Sequence, residues 1–296
     1  MRNTFILITF LLAIFTKAQH YASFSQYIVN GLVINPAYAG RNGMLDLTLA
    51  HRRQWTGFDG APVSTSFSAN TPVKIKGVSL GLTYLSDQIG TGNNQTFNFI
   101  YAYRLKIGKV KLSFGLQNGL SIQRTNWDKL RRNDKQDGLI NGQSQTQTAF
   151  MSGAGIYVHN KNLFAGFSVP YMINTLNKNS IKENPILLSG GYFYALNADH
   201  SIKPSLLLKL IPGTSFQTDI NLNYYYKNLF GLGLSYRIKE SIVGILEYGV
   251  NKQFRIYYSY DYGISQLKNY HGGSHEILLR YYFGYSFNAL NPRDFQ

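Results

Sequence analysis

From Leu45 onward, apolar and polar residues alternate one by one in runs of roughly eight to twelve, and short connections separate the runs. A period of two sends successive side chains to opposite faces of an extended strand, so each run has one apolar and one polar face. In Phe230, Leu232, Leu234 and Tyr236 the large residues share a face, opposed by Gly231, Gly233, Ser235 and Arg237. Phe97, Phe99, Tyr101 and Tyr103 likewise oppose Asn98, Ile100, Ala102 and Arg104, and Phe216, Ile220, Leu222 and Tyr224 oppose Gln217, Asp219, Asn221 and Asn223. Fourteen runs of this kind are expected as strands, at 45–53, 64–70, 78–86, 96–105, 111–124, 147–158, 162–169, 186–196, 201–210, 215–225, 229–237, 241–250, 255–262 and 274–284. Past the N-terminus no apolar stretch is long enough for a membrane-spanning helix, so if this chain enters a bilayer it must do so as a closed barrel. An even strand number and strands of about 9–11 residues suit a bacterial outer-membrane barrel.

Connection lengths test that reading independently, because such barrels carry short turns on the periplasmic rim and longer loops outside. The even-numbered connections are short: 71–77, 106–110, 159–161, 197–200, 226–228 and 251–254. Five of the seven odd-numbered ones are longer: 54–63, 87–95, 125–146, 170–185 and 263–273. A soluble β-sandwich has no reason to keep that parity, which favours the all-β, closed antiparallel transmembrane barrel.

Met1–Ala18 reads as a signal peptide: Arg2, an apolar stretch from Phe5 to Phe15, then Thr16-Lys17-Ala18 as a cleavage site. The expected organisation is therefore 1–18 signal peptide, 19–44 a periplasmic or plug segment and 45–296 barrel. Cysteine is absent, which excludes disulfides, thiolate metal sites and a cysteine nucleophile. The polar strand faces hold five acids (Asp46, Asp219, Glu247, Asp261, Glu276) and six bases (Arg52, Arg104, Lys209, Arg237, Arg255, Arg280). A wet, cross-braced lumen accommodates such charges where a dry core would not. They brace the wall or, as in porins, tune selectivity.

Little points to catalysis. His271 and His275 stand four apart with glycines between them, which argues for a loop and against helical zinc-site geometry. His51, Asp59 and Ser64 beside the first outer loop are the nearest approach to a hydrolase constellation, and spacing alone does not set them apart from ordinary hydrogen-bonding residues. Gly90-Thr91-Gly92 fits a hairpin loop better than a phosphate cradle. The basic residues are scattered over turns and are not interleaved with aromatics in a groove, so nucleic acid is not expected as a partner. The reading is of a protein that is not an enzyme, with no cofactor and no metal.

Two segments are unlike barrel wall. Gln26-Tyr27-Ile28-Val29-Asn30 and Asn35-Pro36-Ala37-Tyr38-Ala39-Gly40 precede the first strand, and the Asn-Pro step favours a turn. His51-Arg52-Arg53-Gln54-Trp55-Thr56-Gly57-Phe58-Asp59-Gly60-Ala61-Pro62 places one of two tryptophans in the first outer loop. An exposed Trp beside Arg has the composition of a protein-binding hot spot; a loop folded into the lumen fits equally well.

These two motifs, with Phe24-Ser25-Gln26-Tyr27 ahead of them and Ser86-Asp87-Gln88-Ile89-Gly90 and Phe114-Gly115-Leu116 after them, resemble the PorP/SprF family of Bacteroidota outer-membrane proteins. Arg53 stands where the commonest form of the motif has Gln. The resemblance implies an integral outer-membrane barrel serving type IX secretion and gliding motility, which binds the C-terminal domain of secreted adhesin-like proteins and supports their export or surface anchoring. Expected partners are that secreted protein, other secretion components and outer-membrane lipid. Arg52, Gln54, Trp55, Phe58 and Asp59 are expected as partner-binding or loop-fixing residues, and Asn35, Pro36, Tyr38 and Gly40 as residues ordering the N-terminal segment. The alternative is a passive channel for small solutes.

Charge adds one expectation. The chain carries 29 bases against 14 acids. On this topology the excess falls mainly on the N-terminal segment, the short turns (Lys74, Lys76, Lys106, Lys109, Lys111, Lys161, Lys203, Lys227, Lys252) and the tail. A basic periplasmic rim favours an acidic periplasmic partner.

Overall fold

The computed structural model describes residues 24–126, 145–175, 185–211 and 216–284. The strands are β1 (Leu45–Arg53), β2 (Val63–Pro72), β3 (Val78–Ile89), β4 (Gly92–Ile107), β5 (Val110–Thr125), β6 (Gln145–His159), β7 (Leu163–Asn174), β8 (Ile186–Tyr192), β9 (Tyr194–Ala195), β10 (His200–Leu210), β11 (Gln217–Tyr226), β12 (Phe230–Arg237), β13 (Ser241–Gly249), β14 (Phe254–Gly263) and β15 (Ser274–Phe283). Each pairs antiparallel with its neighbour, and β1 pairs with β15 from Leu45 opposite Phe283 to Arg53 opposite His275. The short β8 and β9 lie end to end against β10, so the wall is a closed ring of fourteen staves. Closure satisfies the strand N–H and C=O groups within the ring, the condition for crossing hydrocarbon.

The alternation resolves as expected. Phe99, Leu116, Leu232, Leu234 and Leu246 are about half exposed on the outer face, an apolar band unsuited to water and suited to lipid. Asp46, Asp219, Asp261, Glu276, Arg52, Lys209, Arg237, Arg255 and Arg280 are buried inside, and Arg104 and Glu247 are largely covered.

Several boundaries and positions differ from the sequence expectations. The strand expected at 186–196 breaks at Phe193, whose ring turns inward and whose N–H is taken by the Asn162 carbonyl. The long connection expected at 87–95 is a two-residue turn, Gly90-Thr91, because β3 and β4 stay paired through Ile89 opposite Gly92. Polar residues at the ends of those strands had resembled loop. Asp87 consequently faces inward, buried and accepting from Ser64 Oγ. Lys203 and Lys111, counted with the charge of the short turns, stand in β10 and β5 as the expected strands 201–210 and 111–124 had it, and Lys203 is buried in the lumen. The cleavage site, residues 19–23, the charged 129–137 run, Trp127 and the tail from 285 lie outside the described residues.

Candidate functional site

The lumen is occupied by the chain's own residues 24–40. β1 starts at the short-turn rim and Arg52 lies near its far end, so the contacts made by Phe24, Ser25 and Gln26 place them in the long-loop half. From there the segment descends through two 3-10 turns, Gly31–Val33 and Pro36–Tyr38, to the short-turn rim, where the Gly40 N–H donates to Asn70 Oδ1 at 2.8 Å. Gly40 has φ +68°, and a Cβ there would lie 2.0 Å from Ser79 Oγ, so glycine is required both by backbone conformation and by contact.

Three apolar contacts seat the segment on an otherwise polar wall. Leu32, Ala37, Tyr38 and Ala39 pack on Ile100, Ala102 and Tyr157. Phe24, Val29 and Val33 meet Ala50, Tyr257 and Leu278, and Tyr27, Ile28 and Ile34 meet Leu187 and Leu207. Below them lies a floor without side chains: a Cβ on Gly115 would stand 2.1 Å from the Ala37 nitrogen, and one on Gly155 2.2 Å from Asn35 Oδ1. Asn35 reads that floor. Its Nδ2 donates to the Ile156 and Phe167 carbonyls at 3.0 and 3.3 Å, and its Oδ1 caps the following turn by accepting the Ala37 N–H. Asn35 itself is extended and Pro36 opens the turn, as a residue before proline should behave.

Polar bonds fasten the upper end. Arg52 Nη2 donates to Asp261 at 2.7 Å, and Nη1 to Ser25 Oγ at 2.8 Å and Glu276 at 3.3 Å. Glu276 also accepts the backbone N–H groups of Ser25 and Gln26. Ser25 Oγ accepts from Arg52 and Arg237 and donates to Asp261, which uses its full hydroxyl capacity. Asp219 joins Lys209 and Arg237, Arg280 binds Asp46, and Arg255 binds Glu247. Lower down, Arg280 donates to the Val29 carbonyl and Asn30 Nδ2 to Ser68 Oγ. Burial and the Asp219 carboxylate push the Tyr27 phenol well above its ordinary range, so it stays a neutral hydroxyl, accepting from Asn221 Nδ2 at 2.7 Å.

On the outer rim loop 54–62 is fastened to loop 264–273, and the two together make a cap on that side of the rim. Thr56 exchanges backbone hydrogen bonds with Gly272 and Gly273, and the Trp55 N–H donates to Ser274 Oγ. The Trp55 ring, on a backbone at φ +49°, packs against Phe58 and His271 with centroids 6.4 and 6.2 Å apart. Gln54 closes the loop by donating to the Pro62 carbonyl. Phe58 (48% exposed) and Asp59 stand outward at its tip, and Leu267 and Tyr270 (69%) are exposed on the second loop.

The structure thus separates the expected site residues into three groups. Arg52 belongs to the lumen network and not to the outer surface, while Gln54, Trp55, Phe58 and Asp59 form the cap. Asn35, Pro36, Tyr38 and Gly40 lie together in the lower lumen. His51, Asp59 and Ser64 are not brought together: His51 faces outward and bonds Thr65, whereas Ser64 faces inward on Asp87. His271 stacks on Trp55, and His275, on the lipid side, bonds Tyr258. The seat itself went unrecognised in the sequence. Its signal is the set of apolar residues that break the polar face, Ile100, Ala102, Leu187, Leu207 and Leu278.

Comparison with known proteins agrees with this architecture. The chain is similar to the Ralstonia pickettii toluene transporter TbuX (10% identity, TM-score 0.54, covering 86% of this chain and 93% of that one). It is also similar to the Pseudomonas putida toluene transporter TodX (12%, 0.51, 89% and 94%) and to the Acinetobacter baumannii outer membrane protein Omp33 (7%, 0.50, 82% and 100%). At such identities the likeness is one of fold. No curated protein matches the chain in sequence. A family model does match, over residues 16–281, and by that match the chain belongs to the type IX secretion system membrane proteins of the PorP/SprF family, integral to the outer membrane.

Proposed function

We propose that this barrel receives the C-terminal domain of a secreted surface protein on its outer cap, supporting that protein's export or anchoring in type IX secretion and gliding. The observation carrying the proposal is the cap: two loops tied by backbone hydrogen bonds seat Trp55 against Phe58 and His271 and leave Phe58, Leu267 and Tyr270 exposed. Exposed aromatics on a preorganised frame are the composition of a protein-binding hot spot. In this reading Met1–Ala18 is the signal peptide, residues 19–44 contribute the plug, and 45–296 form the barrel. Catalysis has no part in it. The passive-channel alternative is disfavoured by the packing of residues 24–40 across the lumen.

Substituting Trp55 and Phe58 together by Ala tests the contact. Each truncation at a hot spot costs about 2 kcal/mol or more, so surface display of the cognate adhesin should fall at least about tenfold. Display is read by antibody on intact cells, with barrel folding checked by heat-shifted electrophoretic mobility. Wild-type display from a folded double variant rejects the proposal.

A further inference from the structure

The short-turn end of the lumen differs chemically from the outer end. Arg41, Arg104, Lys111 and Lys203 all lie there, at the foot of the plug or within a few residues of a short turn. Arg104 gives its guanidinium to the Ala39 and Gly40 carbonyls and to Ser113 Oγ, all uncharged acceptors, so its bonds tie down the plug while its positive charge remains. Arg41 lies over the rings of Tyr38, Tyr157 and Phe164 at 5.4, 5.3 and 5.6 Å, and Lys203 Nζ over the Phe164 ring at 5.4 Å.

Between Arg41 and Lys203, with Tyr38, Tyr157 and Phe164 in its walls, is a cavity of about 30 Å³. Room for one water takes about 10–15 Å³ on this measure, so the space suits the three heavy atoms of a carboxylate. A second observation points the same way. His159, the last residue of β6, is 1% exposed, packs on the Tyr157 ring at 5.5 Å and stands opposite Lys111 in the sheet. Neither of its ring nitrogens has a hydrogen-bond partner among the described residues. A buried imidazole left in that condition is uncommon and calls for a bonding group that the described residues do not supply.

We propose that this lower mouth is a binding site for the carboxylates of an acidic peptide segment, presented by a protein on the short-turn, periplasmic side. Charge complementarity selects an anion. The aromatic walls select one with an apolar stem, as a glutamate side chain has and free phosphate lacks. The inward direction of the cationic side chains disfavours a lipid headgroup, which would lie against the outer face. Because Arg104 holds Ala39 and Gly40, and Arg41 follows directly, an occupant here touches the lower anchor of the plug. The site stands apart from the outer cap and does not depend on what binds there.

The test uses the full chain purified in a neutral detergent and a labelled, end-blocked tetraglutamate peptide, with tetraglutamine as control and binding read by fluorescence anisotropy. Tetraglutamate should bind at least tenfold more tightly than tetraglutamine and weaken with salt. Lys203→Gln and Arg41→Gln should each lower its affinity about tenfold, and His159→Phe should lower it measurably. The Trp55/Phe58 double variant should bind it as wild type does, which separates this site from the cap. The proposal is overturned if the two peptides bind alike or if Lys203→Gln and Arg41→Gln, both folded by the mobility check, bind tetraglutamate normally. Inorganic phosphate or anionic-lipid vesicles competing as well as unlabelled tetraglutamate would also overturn it.

Discussion

Gly115→Val should convert a closed barrel into a conducting one. The position lies on the inner face of β5, and a Cβ there would fall 2.1 Å from the Ala37 nitrogen and 2.3 Å from the Pro36 carbonyl carbon. Both are backbone atoms in a turn already fixed by Asn35 and Pro36, so no flexible tip can move aside; the plug must leave its seat. The wall need not suffer, because valine suits a strand better than glycine does. Wild-type protein in planar bilayers should show no steady current, and Gly115→Val a steady one. Gly244→Val is the matched control, since a Cβ there has no neighbour within 4 Å, and it should stay closed. A folded Gly115→Val barrel that remains closed would mean that the segment yields without clearing the lumen.

Arg52→Ala is the second large effect. The side chain is 3% exposed and bridges Asp261 and Glu276, which are themselves buried, while also holding Ser25. Its removal leaves two carboxylates close together with one cation fewer. Breaking a buried ion pair from one side typically costs about 3–5 kcal/mol, because the charge left behind is uncompensated. The urea midpoint of the folded barrel should drop accordingly, and the upper end of the plug should become sensitive to protease added on the loop side. Removing Lys227, whose pairing with Asp199 is about half exposed on both sides, should shift the midpoint imperceptibly. An Arg52→Ala barrel as stable as wild type would show that water or Arg237 takes over the two acids.

Much of the wall was legible because the period-two pattern carries its own register. A slip of one residue along β12 would put Leu232 and Leu234 in the lumen and Arg237 in lipid, so burial pins the strand. The same logic identified the inward charges, though not their partners: that Asp46 meets Arg280 and Arg52 meets Glu276 depends on β1 closing against β15, a contact between the first and last strands of the sequence. Strand ends were less legible. Gln88, Asn93, Asn94 and Gln95 have loop composition yet remain in the ladder, since a polar side chain facing the lumen or the outer rim costs nothing there. Of the candidate site, the unusual composition of 24–40 and of the Trp55 loop was visible, but not their placement. Gly115 and Gly155 looked like ordinary small residues on a polar face; only the segment lying across them explains why nothing larger fits. Lys203 was counted with the rim although the expected strand 201–210 contains it, because a long lysine side chain near a strand start can reach either the turn or the lumen.

The most direct test of the account is a photo-crosslinking amino acid placed at Phe58 in living cells, with one at Phe99 on the lipid-facing wall as control. The account predicts an adduct from Phe58 alone, whose linked peptide maps to the C-terminal domain of a secreted surface protein. Failure of a folded, surface-reachable Phe58 probe to capture that domain, or equal capture from Phe99, would contradict it.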